Sequence, residues 1–333
     1  MNMNINKKKI DYIEIFKKSF SITLKNKFLW WFGLFVAIAG GGNSFNYSAN
    51  NDFGNENSEA LAENISYYWS LYSEWIILGI VIILILFLSF VLLGFLGRGA
   101  LIGSLVKIEK GEEMNFTKGL RQGRKFFWRV LLLEVFASLV MLFLGLILFI
   151  PVIRLVVLEA YVPAFILGAI AVIIFLSVIL LVSFMRVYSR IYMIEGNLKV
   201  MESIKLAYNL FKINVKESIL MAIFLIAIWI IASISLLFFI ALASIPFVIG
   251  GLILSAAMGP LFVITLGFLA TATVVAAGIF WGAIYAVFSQ GSWVLFFNKI
   301  AKNKFRNNES EVKEELYYKK VAEQKSLSKR KAG

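Results

Sequence analysis

The sequence predicts an all-α fold, a polytopic membrane bundle of about six transmembrane helices in three repeats of an amphipathic helix plus a helical hairpin. Apolar residues make up 60% of the chain and charged residues 16%, against about 45–50% and about 25% in soluble domains. The apolar residues gather in runs of the roughly twenty residues that a helix needs to cross a hydrocarbon core about 30 Å thick. Basic residues lie between these runs, on alternate connections.

Five apolar stretches contain the predicted spans. They are 28–42, 75–97, 130–150, 161–185 and 218–297, the last without any Asp, Glu, Lys or Arg. We divide that last run into two spans, Ser218–Leu242 and Leu261–Phe288, because an odd number would place the basic tail opposite the other basic segments. Proline and glycine residues predict a break or a re-entrant loop over 246–260. The first span is short, which predicts little tilt or partial crossing.

The basic residues sort to one side of the membrane. Residues 1–27 hold seven Lys or Arg, 98–129 eight, 186–217 six and 298–333 eleven, which is 32 of the 33 in the chain. Segment 43–74 has none, and it contains the acids Asp52, Glu56, Glu59, Glu63 and Glu74. The positive-inside rule therefore predicts a multi-pass protein of a bacterial plasma (inner) membrane with cytoplasmic termini.

This sorting also gives the predicted organisation. Residues 1–27 are a cytoplasmic basic amphipathic helix, 28–297 are the six-span domain and 298–333 are a basic cytoplasmic tail with spacings typical of a charged helix. Within the domain, 43–74 is an external acidic loop, and 98–129 and 186–217 are cytoplasmic loops.

Three segments that precede spans resemble one another. They are 18–28, 118–128 and 202–212, and each has a small residue, then an apolar one, then polar or basic positions, then aromatics. An apolar stripe of helical spacing runs through the first: Ile10, Ile13, Phe16, Phe20 and Leu24. We expect these helices to lie in the headgroup plane with Lys and Arg on anionic phospholipid. The alternative is a charged helix that packs on the end of the bundle.

This order of basic amphipathic helix, Phe/Trp-rich span entry and Gly-containing cytoplasmic turn resembles the membrane domain attached to some bacterial glycerophosphodiester phosphodiesterases. It is also similar to related families of uncharacterised bacterial integral membrane proteins. The resemblance covers most of residues 10–297 and implies an association with the envelope or its lipids. The chain has no counterpart of the phosphodiesterase catalytic domain, so no catalytic role carries over.

Composition removes several kinds of chemistry. The chain has no Cys and no His, which excludes disulfides, Cys/His zinc sites, His-ligated haem and imidazole-dependent triads. Carboxylate-only metal sites are not excluded by this composition, and we expect no catalytic residue, cofactor or metal. The net charge of +13 flanks apolar runs rather than covering a soluble domain, so it indicates lipid headgroups and not nucleic acid.

Three ionisable residues stand out. Glu134 is the only one well inside a predicted span, where an acid is a functional candidate by default. The competing interpretation, which we favour, is structural: Glu134 snorkels or pairs with Arg129 or another nearby basic residue. Arg154 and Glu159 lie in a short connection, and we expect them to pair with each other rather than form an external ligand site.

Two glycine pairs have the spacing that allows close helix approach. They are Gly99 with Gly103 and Gly278 with Gly282, and we expect contacts within the bundle rather than between protomers.

Together these features predict a non-enzymatic membrane protein with a structural, scaffolding or lipid-associated role. The alternative is a transporter or permease for a small or lipid-like substrate, and a lipid-processing enzyme using Glu109, Glu112 and Glu113 ranks third. Expected partners are the bilayer, anionic headgroups and a protein at the C-terminal tail. A further alternative is a signal peptide cleaved after Ala39.

Overall fold

The computed structural model describes residues 10–39, 58–258 and 260–331, with side chains described except at 58–66, 68, 248, 252–264 and 302–331. Eight helices follow in order: α1 Tyr12–Lys25, α2 Leu29–Ala39, α3 Ser58–Glu109, α4 Phe116–Val157, α5 Tyr161–Glu195, α6 Val200–Ile213, α7 Val215–Met258 and α8 Pro260–Lys331. These ranges contain no strand. Five of the helices are long and apolar enough to cross a membrane, so the predicted all-α multi-pass membrane fold is confirmed.

The sixth span depends on α1 and α2. The 11 residues of α2 cover about 16 Å at 1.5 Å per residue, half of the hydrocarbon core. Helices α1 and α2 meet at 105° and make a sixth span only when taken together as one broken span. Residues 40–42 of the predicted first span lie outside the described residues, so its short length stays a prediction.

The long apolar run 218–297 forms two spans, as predicted, within α7 and α8. Within the predicted break 246–260, α7 continues through Pro246 and ends at Met258, so the helix ends near the last of the predicted positions. A break beside Pro246 would expose unpaired backbone groups to lipid, so the helix tolerates the proline. Pro260 begins α8, where the missing N–H costs no hydrogen bond.

Much of the predicted loop sequence is helical. Of the segment 43–74, residues 43–57 lie outside the described part, and the rest belongs to α3, which has a non-helical backbone at Tyr72 (φ −129°, ψ 19°). The segment 98–129 holds the end of α3, a short turn and the start of α4. The segment 186–217 holds the end of α5, all of α6 and the start of α7.

The chain divides into two compact units. The first unit consists of Met1–Ile22, Leu133–Ile226 and Gly291–Gly333, and the second of Thr23–Leu132 and Ala227–Gln290. In the second unit α2 packs against α3, where a Cβ on Gly97 would lie 2.8 Å from the Cβ of Phe35. The ring of Phe32 stacks on Phe116 at 5.0 Å. Close backbone approach therefore organises the second unit.

Aromatic side chains organise the first unit. Phe184 of α5 stacks on Phe211 of α6, with ring centroids 4.9 Å apart. Trp293 of α8 meets Phe184 edge-on at 5.9 Å and Tyr188 at 6.0 Å. Tyr192 meets Phe297 at 4.7 Å. These rings join α5, α6 and α8 through large apolar areas.

The spans themselves present apolar side chains outward. Ile83 in α3, Ile147 in α4 and Phe165 in α5 are 66%, 70% and 79% exposed. Such surface in water would drive aggregation, whereas hydrocarbon solvates it at no cost. The protein is therefore in direct contact with the lipid bilayer.

Candidate functional site

The three repeated segments share two buried small positions. In the alignment of 18–28, 118–128 and 202–212, the second and sixth residues are all small, and all six are buried: Ser19, Thr23, Gly119, Gly123, Ser203 and Ala207. Positions four apart lie on one helix face, so each segment packs through a small-residue face. The first of these positions belonged to the predicted pattern. The second was missed, although all three copies carry it in the sequence.

Three of the five residues in the predicted apolar stripe of α1 face away from the protein. Ile13, Phe20 and Leu24 are 66%, 55% and 45% exposed, whereas Ile10 and Phe16 are half-buried and the Phe16 ring meets Phe224 edge-on at 6.1 Å. The buried face of α1 instead holds Ile15, Ser19 and Thr23. If the stripe packed against the bundle, the residues of the stripe would be the buried ones.

Basic side chains occupy the remaining face of α1. Lys17, Lys18 and Lys25 are all exposed, beside the exposed apolar stripe. The helix therefore offers three faces: one small and packed, one apolar and one basic. An apolar face next to a cationic face is the arrangement of helices that lie in a headgroup layer.

Helix α6 repeats this design. Ser203, Ala207 and Leu210 are buried, while Met201 and Tyr208 are 56% and 47% exposed. The basic residues Lys205 and Lys212 are exposed as well. Two helices of the repeat thus present apolar and basic groups together.

The segment 118–128 differs from these two, because it is continuous with α4 and does not form a separate helix. Its basic residues Arg121, Arg124 and Lys125 are nevertheless exposed, while Gly119 and Gly123 are buried. The predicted amphipathic segment is present as the first turns of a spanning helix.

Glu134 lies in a buried cluster of opposite charges within the first unit. Its two carboxylate oxygens lie 3.7 Å from Arg186 Nη1 and 3.5 Å from Arg190 Nη1 of α5. The side chain of Glu134 is only 10% exposed, so it does not snorkel into water. Pairing with a basic residue was predicted, but these partners were missed because they come from another helix.

The two arginines are held differently. The side chain of Arg190 is 9% exposed, and its Nε donates to the backbone oxygen of Arg186 at 3.0 Å. Arg186 is 30% exposed, yet its Nε is buried and has no hydrogen-bond partner. A buried donor left unpaired is costly.

A hydrogen-bond chain fixes the helices beside this cluster. Tyr188 donates through its hydroxyl to Ser218 Oγ at 2.7 Å, and Ser218 Oγ donates to the Asn214 backbone oxygen at 2.6 Å. Tyr188 and Ser218 are both fully buried. This chain ties α5 to the junction of α6 and α7.

The predicted pair of Arg154 and Glu159 does not form. Both side chains are exposed, and the ion pairs of the described residues do not include one between them. Glu159 has a left-handed backbone (φ 56°) in the turn that follows α4. Exposed charges gain little by pairing, which accounts for the missing contact.

The predicted glycines have different environments. A Cβ on Gly99 would lie 3.4 Å from Gly123, and one on Gly282 would lie 3.5 Å from the Cβ of Ala37. Gly103 is buried, and Gly278 is half-buried. A further close approach, which was missed, involves Gly33: its Cβ would overlap the carbonyl oxygen of Ala283. The predicted contacts within the bundle are thus present at Gly99 and Gly282.

Among the described residues, the acids do not gather into a metal site. Glu112 pairs with Lys107 at 2.7 Å, and the described residues contain no group of three Asp or Glu side chains that could hold a metal ion. Fold and surface together define a polytopic α-helical membrane protein with basic amphipathic segments. Searches against family models, curated proteins and solved structures find no match for this chain.

Proposed function

We propose that this chain is a non-enzymatic, lipid-associated membrane protein with a structural or scaffolding role at the cytoplasmic face of a bacterial plasma membrane. The observation that carries the proposal is α1, which exposes Ile13, Phe20 and Leu24 of its apolar stripe and packs through small residues. A helix at a water-exposed surface would bury that stripe against the protein. A helix in the headgroup layer exposes it to acyl chains.

The basic side chains give this surface its lipid preference. Exposed Lys and Arg residues occur on all three repeated segments, and each contributes about 1 kcal/mol near an anionic surface. Lipids with negative headgroups would therefore collect around the repeats. The small buried positions hold the helices in place while the other faces contact lipid.

The chain's lack of Cys allows a direct test by single-cysteine labelling. A fluorophore at Phe20→Cys is expected to be quenched by brominated acyl chains in nanodiscs containing anionic phosphatidylglycerol. The same fluorophore at Lys18→Cys, two residues away, is the matched control and is expected to stay quenchable by aqueous iodide. Equal aqueous quenching at both positions would contradict the proposal.

The transporter alternative loses one of its two supports. It was suggested by the repeats and by a broken segment near Pro246, but α7 continues through that residue. Substrate-dependent flux in proteoliposomes that is lost in Glu134→Gln would restore it.

A further inference from the structure

We propose that the first turns of α4 form a docking surface for an acidic helix of a soluble protein partner. The surface is the row of Lys118, Arg121 and Lys125, which we call the cationic stripe. This inference gives the scaffolding part of the proposed function a partner and rests on that function.

The cationic stripe continues along α4 into an apolar face. Lys118, Arg121, Lys125, Trp128 and Leu132 are all exposed, and their spacing of three, four, three and four residues places them on one face of the helix. This face carries three cations, then a tryptophan, then a leucine, along a single continuous helix. Such an order is typical of a helix that passes from water through the headgroup layer into hydrocarbon.

Two of the three cations lie farther from the hydrocarbon than phospholipid headgroups extend. Trp128 is 70% exposed, and a tryptophan at the entry of a span lies at the headgroup level. Arg121 precedes Trp128 by seven residues and Lys118 precedes it by ten, which is about 10 Å and about 15 Å along the helix axis. The headgroup region is only about 5–7 Å thick on each side of the bilayer. Headgroups therefore reach Lys125, whereas the outer part of the stripe stands in water.

The geometry of the helix increases this distance. The Cα–Cβ bonds of a helix tilt toward its N-terminus, and the N-terminus of α4 is the end that lies away from Trp128. Lys118 and Arg121 therefore leave the helix in the direction away from the bilayer. Lipid headgroups are the wrong partners for these two side chains.

The opposite face of the segment holds the stripe in place. Gly119 and Gly123 are buried, and both approach their neighbours closely. A Cβ on Gly119 would lie 2.5 Å from the ring of Phe32, and one on Gly123 would lie 2.6 Å from the Leu96 carbonyl oxygen. The stripe is thus carried by a packed helix, so a partner binds to a surface whose backbone is already ordered.

The charges of the stripe are available to a partner. The ion pairs of the described residues do not include Arg121 or Lys125, and Lys125 Nζ lies over the Phe126 ring at 5.1 Å. Carboxylates at intervals of three and four residues on a second helix would form a row of the same pitch. Opposite rows of charge guide association and fix its register.

The acids beside the stripe favour a protein over a nucleic acid. Glu112 and Glu113 are exposed in the turn before α4, and Lys118 Nζ donates to the Glu113 backbone oxygen at 3.0 Å. A DNA duplex carries a negative charge about every 1.7 Å, so it would bring phosphates against these acids. A helix with glutamates on one face can end before it reaches them.

The test measures peptide binding to the full-length protein in phosphatidylcholine nanodiscs by fluorescence anisotropy. The probe is a fluorescein-labelled, alanine-based peptide whose three glutamates have the spacing of the stripe. Arg121→Glu should weaken binding about tenfold, because it places like charges opposite each other. Arg154→Glu is the matched control at an exposed arginine near the other end of α4, and it should leave the affinity unchanged. Equal affinities in R121E and R154E would overturn the docking surface.

A charge swap separates docking from folding. A second peptide, in which lysine replaces one glutamate, should bind R121E more tightly than it binds the wild type. A variant that had merely failed to fold would not gain affinity. The same reversal is expected for Lys118→Glu, and its absence in both variants would reject the surface.

The remaining outcomes assign the stripe. A single-stranded oligonucleotide that binds more tightly than the peptide, and is lost in R121E, overturns a protein partner in favour of nucleic acid. A fluorophore at Arg121→Cys that is quenched by brominated acyl chains, and not by aqueous iodide, places the stripe in lipid and also overturns the proposal. Failure of peptide binding while Phe20→Cys keeps its lipid quenching rejects this surface alone. Loss of that quenching with peptide binding retained supports this surface and rejects the lipid association.

Discussion

Gly99 of α3 faces Gly123 of α4, and a Cβ built on Gly99 would lie 3.4 Å from both the Cα and the carbonyl oxygen of Gly123. A Cβ built on Gly123 would meet α3 at a still shorter distance, 2.6 Å from the Leu96 carbonyl oxygen. Two helices thus touch through their backbones. Gly123 is also the second small position of its repeated segment.

Adding one methyl group at Gly123 is expected to separate these helices. In Gly123→Ala the new Cβ meets a backbone oxygen that cannot move aside, and overpacking costs about 1–3 kcal/mol. The thermal midpoint in detergent should therefore fall despite the better helix propensity of alanine. Gly79→Ala is the control: its Cβ meets nothing within 4 Å, and it should gain up to about 1 kcal/mol. Equal shifts in both variants would contradict the close approach.

Gly33 and Gly282 provide a second contrast in the same unit. Gly33→Ala should strongly reduce the folded fraction recovered by size-exclusion chromatography, because its Cβ overlaps the Ala283 carbonyl oxygen. Gly282→Ala places its Cβ 3.5 Å from that of Ala37, an ordinary contact, and should leave that fraction unchanged. If G282A proved the more harmful, α2 and α8 would not meet through Gly33.

The cluster of Glu134, Arg186 and Arg190 predicts the outcome of a double-mutant cycle. Arg186→Gln should change the thermal midpoint in opposite directions in the wild type and in E134Q. Glu134→Gln leaves Arg186 without its carboxylate, and breaking a buried pair in this way costs about 3–5 kcal/mol. Adding Arg186→Gln should then raise the thermal midpoint relative to E134Q alone. The coupling is read from the four midpoints of the cycle, and additive effects would show that the two side chains do not interact.

The hydrogen bond from Tyr188 to Ser218 predicts which of two substitutions destabilises the protein more. Tyr188→Phe removes the donor and should cost about 0.5–1.5 kcal/mol. Ser218→Ala should cost more, because it leaves the buried Tyr188 hydroxyl without its acceptor. Tyr161→Phe is the control at a side chain that is 65% exposed, where no loss of thermal midpoint is expected. A larger loss in Y188F than in S218A would contradict the direction of donation.

Sequence reasoning recovered the helical class and the number of spans, because both follow from the length of apolar runs. It misjudged where helices end. Residues 58–74 are acidic and polar, which suggested a loop, but they belong to α3. Pro246 suggested a break, but lipid penalises an open backbone more than it penalises a bent helix.

The candidate sites were recovered less completely. Glu134 was identified because a lone acid in an apolar run is conspicuous. Arg186 and Arg190 lie more than fifty residues further on, among the basic residues that were interpreted as setting the orientation of the protein in the membrane. Only packing of α4 against α5 brings them together. The second small position at Thr23, by contrast, is visible once the three segments are aligned.

The two small positions, four residues apart, predict that the repeated segments can replace one another. Helices that meet through such residues approach to a common separation, whatever the identity of the outer faces. A chimaera in which 202–212 replaces 18–28 would therefore keep its docking register while exchanging one lipid-facing surface for another. The chain thus carries three copies of one small-residue packing motif, and the exposed residues beside that motif differ from copy to copy.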